Sequence, residues 1–214
     1  MSVPFPLDAE NVWCEITPTA RSTTPRGALF LDRDGVVVEE ADYLSRVADL
    51  SVIAGAAETI AQANARGVPV VLVTNQAGIG RGYYTWSEFA TIQTELAKRL
   101  ASQKAHFDAV YACAHHPEGQ GVFAHPNHPA RKPNPGMLQR AASALSLDLA
   151  QSWLVGDKAI DIAAAKNAGL AGAMLALTGY GMKERAEAEA LRTAGFDVRV
   201  GASIKDALTL PILR

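Results

Sequence analysis

The chain has 214 residues, 49% of them hydrophobic and 20% charged, and a formal net charge of -2. That length suits one ordinary domain, or a core domain with a small insertion, and is long enough to bury a real core. The charge balance offers no basic surface for nucleic acid, and no apolar run reaches the roughly 18 to 20 residues that span a bilayer.

The opening segment MSVPFPLDAENVWCEITP has no Lys or Arg before Arg21, so it lacks the basic-then-apolar order of a signal peptide. The two cysteines, Cys14 and Cys113, lie far apart and build no disulfide framework of the secreted type. The expected setting is therefore the reducing cytoplasm, away from membranes. The expected partner is a small molecule and the expected state a monomer.

Residues 1 to about 26 contain Pro4, Pro6, Pro18 and Pro25 and show no clear period. They read as an extended arm lying on the core or partly disordered. From Gly27 to residue 214 a single domain is expected, in which short Val/Ile/Leu-rich runs alternate with segments of helical period. The strand candidates are 28–32, 68–75, 107–113, 152–157, 171–177 and 196–200.

Between the strands, Ala56 to Arg66 reads as a helix stopped by Gly67. Thr85 and Glu88 form a capping box for a helix whose Phe89, Ile92, Leu96 and Leu100 share one face. Further helices are expected over 135–145, 159–168, 183–193 and 203–208. The alternation predicts an α/β fold, a Rossmann-like doubly wound parallel sheet with helices on both faces.

In such sheets ligands bind beyond the carboxyl ends of the strands. Asp32 and Asp34 close the first strand, Thr74 and Asn75 the next, and Asp157 a later one, with Lys158 and Asp161 just behind. A D-x-D-G alone is ordinary turn chemistry. Three carboxylates on one edge point instead to a hard divalent cation such as magnesium, which takes oxygen ligands and substrate phosphate.

A carboxylate beside such an ion can attack phosphorus and form an aspartyl phosphate. A second carboxylate two residues on can protonate the leaving oxygen and later deprotonate water. The Thr74 hydroxyl and a lysine, with Lys132 of ARKPNPG as candidate, would stabilise the phosphoryl oxygens.

The stretches FLDRDGVVV, VLVTNQAGIGRG, RKPNPGM and LVGDKAIDIAAAKNAG, in this order between residues 28 and 169, resemble the four motifs of the haloacid-dehalogenase-like (HAD-like) hydrolases. Together with CAHHPEG they are similar to the branch that contains heptose-bisphosphate phosphatases and the histidinol-phosphate phosphatase domain. The heptose side is favoured by DRDGVV followed by Tyr43 and by RKP. The resemblance implies no large cap domain, only loops and a small zinc-binding insertion at about 113–131.

It implies a magnesium-dependent phosphatase acting on a small phosphorylated sugar. Asp32 would be the nucleophile and Asp34 the general acid and base, with magnesium on Asp32, the Asp34 carbonyl and Asp157. Thr74 and Lys132 would stabilise the phosphoryl group, and Arg131 would recognise the substrate, for which a bidentate guanidinium suits. Glu40, Ala41, Asp42 and Tyr43, Asn75, Gln76 and Ala77, and Lys158 would line the pocket. Asp161 would either hold a magnesium water or cap its helix.

The segment YACAHHPEGQGVFAHPNHPAR holds one cysteine and four of the five histidines. In the resembling branch the pattern is Cys-x-His, a loop, then Cys-x-Cys before Arg-Lys-Pro. Cys113 and His115 match the first half, whereas His128 and Ala130 stand at the two cysteine positions and His125 lies three residues earlier. A closed structural zinc site of Cys113, His115, His125 and His128, with His116 as alternate ligand, is one expectation. The other is that these are loop residues packed by Pro117, Pro126 and Pro129.

Three other readings stand beside the heptose one: histidinol phosphate, another small phosphate ester, and a non-catalytic phosphate binder or receiver-like protein. A receiver's phospho-accepting Asp ends its third strand, whereas here Asp34 follows Asp32 by two, and the chain is long for a lone receiver. A silent binder is disfavoured because every motif residue needed for the chemistry is intact.

Overall fold

Within the strand Leu29–Leu31, alternating side chains sort the core into two layers, with Leu29 and Leu31 on one face and Phe30 on the other. The computed structural model describes residues 5–17 and 24–214. Its strands are β1 (Trp13–Ile16), β2 (Leu29–Leu31), β3 (Val70–Asn75), β4 (Ala109–Cys113), β5 (Trp153–Gly156), β6 (Gly172–Ala176) and β7 (Asp197–Gly201). They form one sheet in the order β1-β4-β3-β2-β5-β6-β7.

From β4 through β7 all neighbours are parallel, and both faces are covered, which is why these strands read as continuous apolar runs. The helices are α1 (Ala56–Ala65), α2 (Ala77–Gly80), α3 (Trp86–Ala101), α4 (Gly136–Leu145), α5 (Ala159–Ala168) and α6 (Gly181–Ala190). Ile60 of α1 and Phe89, Ile92, Leu96 and Leu100 of α3 pack on the Leu29 face. Met137 and Leu138 of α4, Ile162 of α5 and Ala188 of α6 pack on the Phe30 face.

The capping box expected at the start of α3 is present, with Thr85 accepting from the Glu88 N–H and the Glu88 carboxylate from the Thr85 N–H. The helix expected over 183–193 runs instead from Gly181 to Ala190. The segment expected as a helix at 203–208 is a 3-10 helix, Ile204–Thr209, capped by Ser203.

Two elements escaped the periodicity. Part of the arm is an edge strand, β1, antiparallel to β4 with Trp13 opposite Ala112. Its Trp13 ring sits 5.6 Å from Trp86 and 5.1 Å from Phe89, so the arm is anchored by aromatic burial. The rest of the arm expectation, residues 1–4 and 18–23, lies outside the described residues. The second missed element is α2, a single turn too short to show a period.

Between β2 and α1 lies one 3-10 turn, Val47–Asp49, and the 113–131 loop adds only another, Gly121–Phe123. Neither connection carries a cap domain. Among the described residues no helix is long and apolar enough to cross a membrane.

Candidate active site

The break in strand order at β2 opens a crevice at the carboxyl edge, where β3 leads away on one side and β5 on the other. Asp32 continues β2 by one rung, its N–H donating to the Val155 carbonyl at 2.9 Å. Thr74 and Asn75 end β3, Asp157 directly follows β5, and Asp161 lies in the first turn of α5.

Lys132 enters from the loop before α4 and is 2% exposed. Its ammonium donates to Asp32 Oδ1 at 2.8 Å and to the Val73 carbonyl at 2.8 Å, and lies 2.7 Å from Asp161 Oδ1. Asn75 holds the lysine's backbone from both sides, accepting from the Lys132 N–H and donating to the Lys132 carbonyl, each at 3.0 Å. One rigid strand end therefore aims a residue 57 positions away.

Of the two roles suggested for Asp161, the helix cap is present, and a pairing with Lys132 is added. Its Oδ2 accepts from the Lys158 N–H at 3.0 Å, capping α5, while its Oδ1 pairs with Lys132. Ligand oxygens of Asp32, Asp157 and Asp161 lie within 4.8 Å of one another, all three buried.

Three carboxylates this close do not all ionise without a cation. Burial raises Asp157 to about 8, with the charges of Asp32 and Asp161 adding to the rise and the Tyr180 N–H opposing it. Burial also raises Asp32, against the pull of Lys132. Lys132 is itself pushed down by burial, but Asp161 and Asp32 outweigh this and hold it protonated.

The acidic group fits a hard divalent ion. Asp157 Oδ2 accepts from the Tyr180 N–H at 2.8 Å, while its Oδ1 is buried with no hydrogen-bond partner. Gly35 (φ 77°) and Gly179 (φ 56°) flank this carboxylate, and a Cβ on either would come within 2.3 Å or 2.2 Å of Oδ2, respectively. Only glycine tolerates both the backbone angle and the approach.

On the other side of Asp32, a buried network fixes Asp34. Arg33 Nε and Nη2 donate to the Asp34 carboxylate at 3.0–3.2 Å, and Nη2 donates to Gln76 Oε1 at 3.1 Å. Gln76 Nε2 reaches both Asp34 Oδ2 (3.0 Å) and Thr74 Oγ1 (2.7 Å), and the Tyr84 hydroxyl donates to Gln76 Oε1. Sequence reasoning named Gln76 only as a pocket residue and missed Arg33 and Tyr84. The signal for Arg33 was its place between the two aspartates; nothing in sequence marked Tyr84.

Above these groups is a cleft of about 270 Å³. Asp32, Asp34, Glu40, Asp42, Tyr43, Thr74, Asn75, Gln76, Ala77, Arg131, Lys132 and Lys158 all line it. Ala41 does not; it precedes a turn in which Asp42 and Tyr43 take φ of 36° and 72°, and it stays exposed. Tyr180 and Arg81 are among the lining residues not anticipated from sequence. Tyr180 lies under the Lys158 ammonium, 4.1 Å from the ring centroid, and Arg81 donates to the Tyr43 hydroxyl at 3.0 Å.

The expected zinc set is not assembled. The His115, His125 and His128 rings do cluster, with centroids 3.7, 5.1 and 6.3 Å apart, but among the described residues only the aspartate trio brings three or more metal-type ligand atoms within 4.8 Å of one another, so Cys113 and the histidines do not form the four-ligand set. The His115 and His128 rings stack face to face, 3.7 Å apart; one nitrogen of each contacts the backbone, while His115 Nδ1 is buried with no hydrogen-bond partner. His115 Nε2 donates to the Glu10 carbonyl, His128 Nδ1 accepts from the Ala130 N–H and His125 Nδ1 from the Asn127 N–H. His116, the alternate ligand, is likewise engaged through Nδ1 by the Glu118 N–H. Ala130 stands where the pattern needs a ligand, so these donors pack a loop.

Comparison with known proteins agrees with this geometry. A HAD-hydrolase-like family model matches residues 129–201. The chain is 46% identical over 168 residues to the D-glycero-beta-D-manno-heptose-1,7-bisphosphate 7-phosphatase of Mesorhizobium japonicum, covering 78% of this chain and 77% of that one. Its fold matches a crystal structure from Mesorhizobium loti described as HAD-like, with TM-score 0.87 and 40% identity over 98% of this chain and 97% of that one. It also matches the D,D-heptose 1,7-bisphosphate phosphatase of B. bronchiseptica complexed with magnesium and phosphate, with TM-score 0.73 and 31% identity over 84% and 94% of the two chains. With its four motifs gathered at one sheet edge and relatives of this identity and coverage, the chain belongs to the haloacid-dehalogenase-like hydrolases.

Proposed function

We propose that the protein is a magnesium-dependent phosphatase that hydrolyses D-glycero-D-manno-heptose 1,7-bisphosphate at the 7-phosphate. The observation that carries this reading is the Asp32 carboxylate, held by Lys132 beside two further buried aspartates at the floor of a polar cleft. The substrate comes from the relatives, which bear that name at 36–46% identity.

In this reading an Asp32 oxygen attacks phosphorus as the bond to the sugar oxygen breaks, and Asp34 delivers a proton to that oxygen. Asp34 then takes a proton from the water that attacks the aspartyl phosphate, which frees phosphate and restores Asp32. Thr74 and Lys132 offer donors to the phosphoryl oxygens, fixed beforehand by Gln76, Asn75 and Asp161. Arg33 and Gln76 hold Asp34 in place.

Asp32, Asp157 and the Asp34 carbonyl would hold magnesium, which when bound offsets the charge of the carboxylates and the phosphoryl oxygens. Arg131, Lys158, Glu40, Asp42 and Tyr43 would contact the rest of the substrate from the cleft walls.

The test is phosphate release with magnesium from the heptose bisphosphate, histidinol phosphate and fructose 1,6-bisphosphate, with Asp32→Asn as blank. A preference of ~10³-fold or more in kcat/KM for the heptose, about 4 kcal/mol of differential transition-state binding, is the expected result. Flat activity lost in the variant would keep the phosphatase and discard the heptose. Phosphate release undiminished by the variant would remove Asp32 as nucleophile.

A further inference from the structure

The 113–131 loop forms one wall of the cleft, and it carries Arg131. Two bonds fix that arginine. Its N–H donates to the His128 carbonyl at 2.9 Å and its Nη1 to the His115 carbonyl at 3.1 Å. Arg131 is therefore placed by the two histidines whose rings stack at 3.7 Å.

Those histidines in turn rest on the N-terminal arm. His115 is 4% exposed, and its Nε2 donates to the Glu10 carbonyl at 2.7 Å, which sets the Nε2-protonated tautomer because a carbonyl only accepts. His128 Nε2 faces the Glu10 carboxylate at 3.9 Å.

The arm's tip is itself built to be held in place. Asp8 Oδ1 accepts from the N–H groups of Glu10 and Val12 at 2.9 and 3.0 Å, closing a turn in which Asn11 takes a φ of 59°. Arg140 of α4 then clamps the turn from outside, with Nη1 on Asp8 and Nη2 on Glu10. Beyond the turn, Trp13 is 4% exposed and packed on Trp86 and Phe89. The chain of contacts runs from α4 to the arm, from the arm to His115, and from His115 to Arg131.

We infer that Asp8, Glu10 and Arg140 are positioning residues, which hold the histidine loop without a metal ion and so set Arg131 for the part of the substrate remote from the reacting phosphate. The physical reason is that a loop of 113–131 with a single 3-10 turn has little structure of its own, and an unanchored arginine spends binding energy on being ordered. A guanidinium bridging two carboxylates on the far side of the arm removes that cost. The inference rests on Arg131 as a substrate-recognition residue, as proposed above.

The experiment uses the full chain with Arg140→Ala and the conservative Arg140→Lys. Hydrogen exchange of residues 113–131 is expected to quicken ~10-fold or more in Arg140→Ala with α3 unchanged, and to return toward wild type in Arg140→Lys. In steady-state kinetics KM for the heptose bisphosphate rises ~3- to 10-fold with kcat within about two-fold, whereas KM for acetyl phosphate, which has no remote group, stays put. Zinc content is measured on the same protein and is expected to be far below one ion per chain.

Unchanged exchange in 113–131, an equal KM rise on both substrates, or one zinc per chain whose selective chelation alone loosens the loop would each overturn the inference. If the wild type turns over neither substrate, the phosphatase reading fails, and the exchange data alone then decide the arm's role.

Discussion

The ammonium of Lys132 bridges Asp32 and Asp161, 2.8 Å from one carboxylate and 2.7 Å from the other, with all three side chains within 9% of full burial. Lys132→Met removes the one cation from this group and a donor to the phosphoryl oxygens. We expect kcat to fall ~10²- to 10³-fold, the usual loss for one preorganised donor. The same change leaves two buried carboxylates unpaired, so stability should fall by about 3–5 kcal/mol in metal-free buffer. Steady-state phosphate release and thermal melting read the two effects separately. Unchanged kcat would remove Lys132 from the site.

Asp157 yields a prediction about pH. Its pKa in the folded state is raised to about 8 by burial first and then by Asp32 and Asp161. The folded protein therefore binds more protons than the unfolded chain between the ordinary carboxylate range and about 8, and stability falls as pH rises through that window. Asp32, also raised, adds to the lower part of the slope. Without magnesium, melting temperature should drop from pH 5 to pH 8. With magnesium, which binds the ionised carboxylates, the drop should shrink, and Asp157→Asn should flatten it in metal-free buffer. Melting curves across this range, with and without magnesium, check the sign; a rise with pH in the metal-free protein would contradict it.

Arg131 faces the cleft beside the Lys132 segment, with its side chain anchored through Nη1. Arg131→Lys keeps the charge but loses the planar fork, so kcat/KM for a bisphosphate should fall ~10- to 100-fold while acetyl phosphate is barely affected. Equal losses on both would mean that Arg131 acts at the reacting phosphate rather than beyond it.

Thr85 serves as a control remote from the chemistry. Its hydroxyl accepts from the Glu88 N–H at 3.3 Å and its N–H donates to Glu88 at 2.7 Å, at an exposed helix start. Thr85→Ala should cost about 1 kcal/mol, or roughly 2–4 °C in melting temperature for a chain of this size, with kcat unchanged. A loss of activity without a loss of stability would link the start of α3 to the site, where its Phe89 ring lies under the Arg33 guanidinium at 5.3 Å.

Most of the candidate site was legible because its strand-end positions are marked locally: an apolar run fixes the strand, and the polar residue that ends it must lie at the sheet's carboxyl edge. The placing of Asp32, Asp34, Thr74 and Asp157 at that edge follows from it. The histidine-rich loop shows where such reasoning fails, since crowding in sequence suggested ligands, while in the fold one nitrogen each of His125, His128 and His115 is taken up by the backbone N–H groups of Asn127 and Ala130 and by the Glu10 carbonyl.

By itself the sequence determined the parallel sheet, the two-sided burial and the set of residues at the strand ends, since period and polarity are properties of neighbouring positions. Only the tertiary structure decided that Lys132 bridges Asp32 and Asp161, that Arg33 and Gln76 hold Asp34, and that Glu10 meets His115 105 positions away. Hydrogen bonds and ion pairs act over about 3 Å whatever the separation along the chain, and nothing in a residue's immediate neighbours records which distant partner the packed sheet will bring within that range.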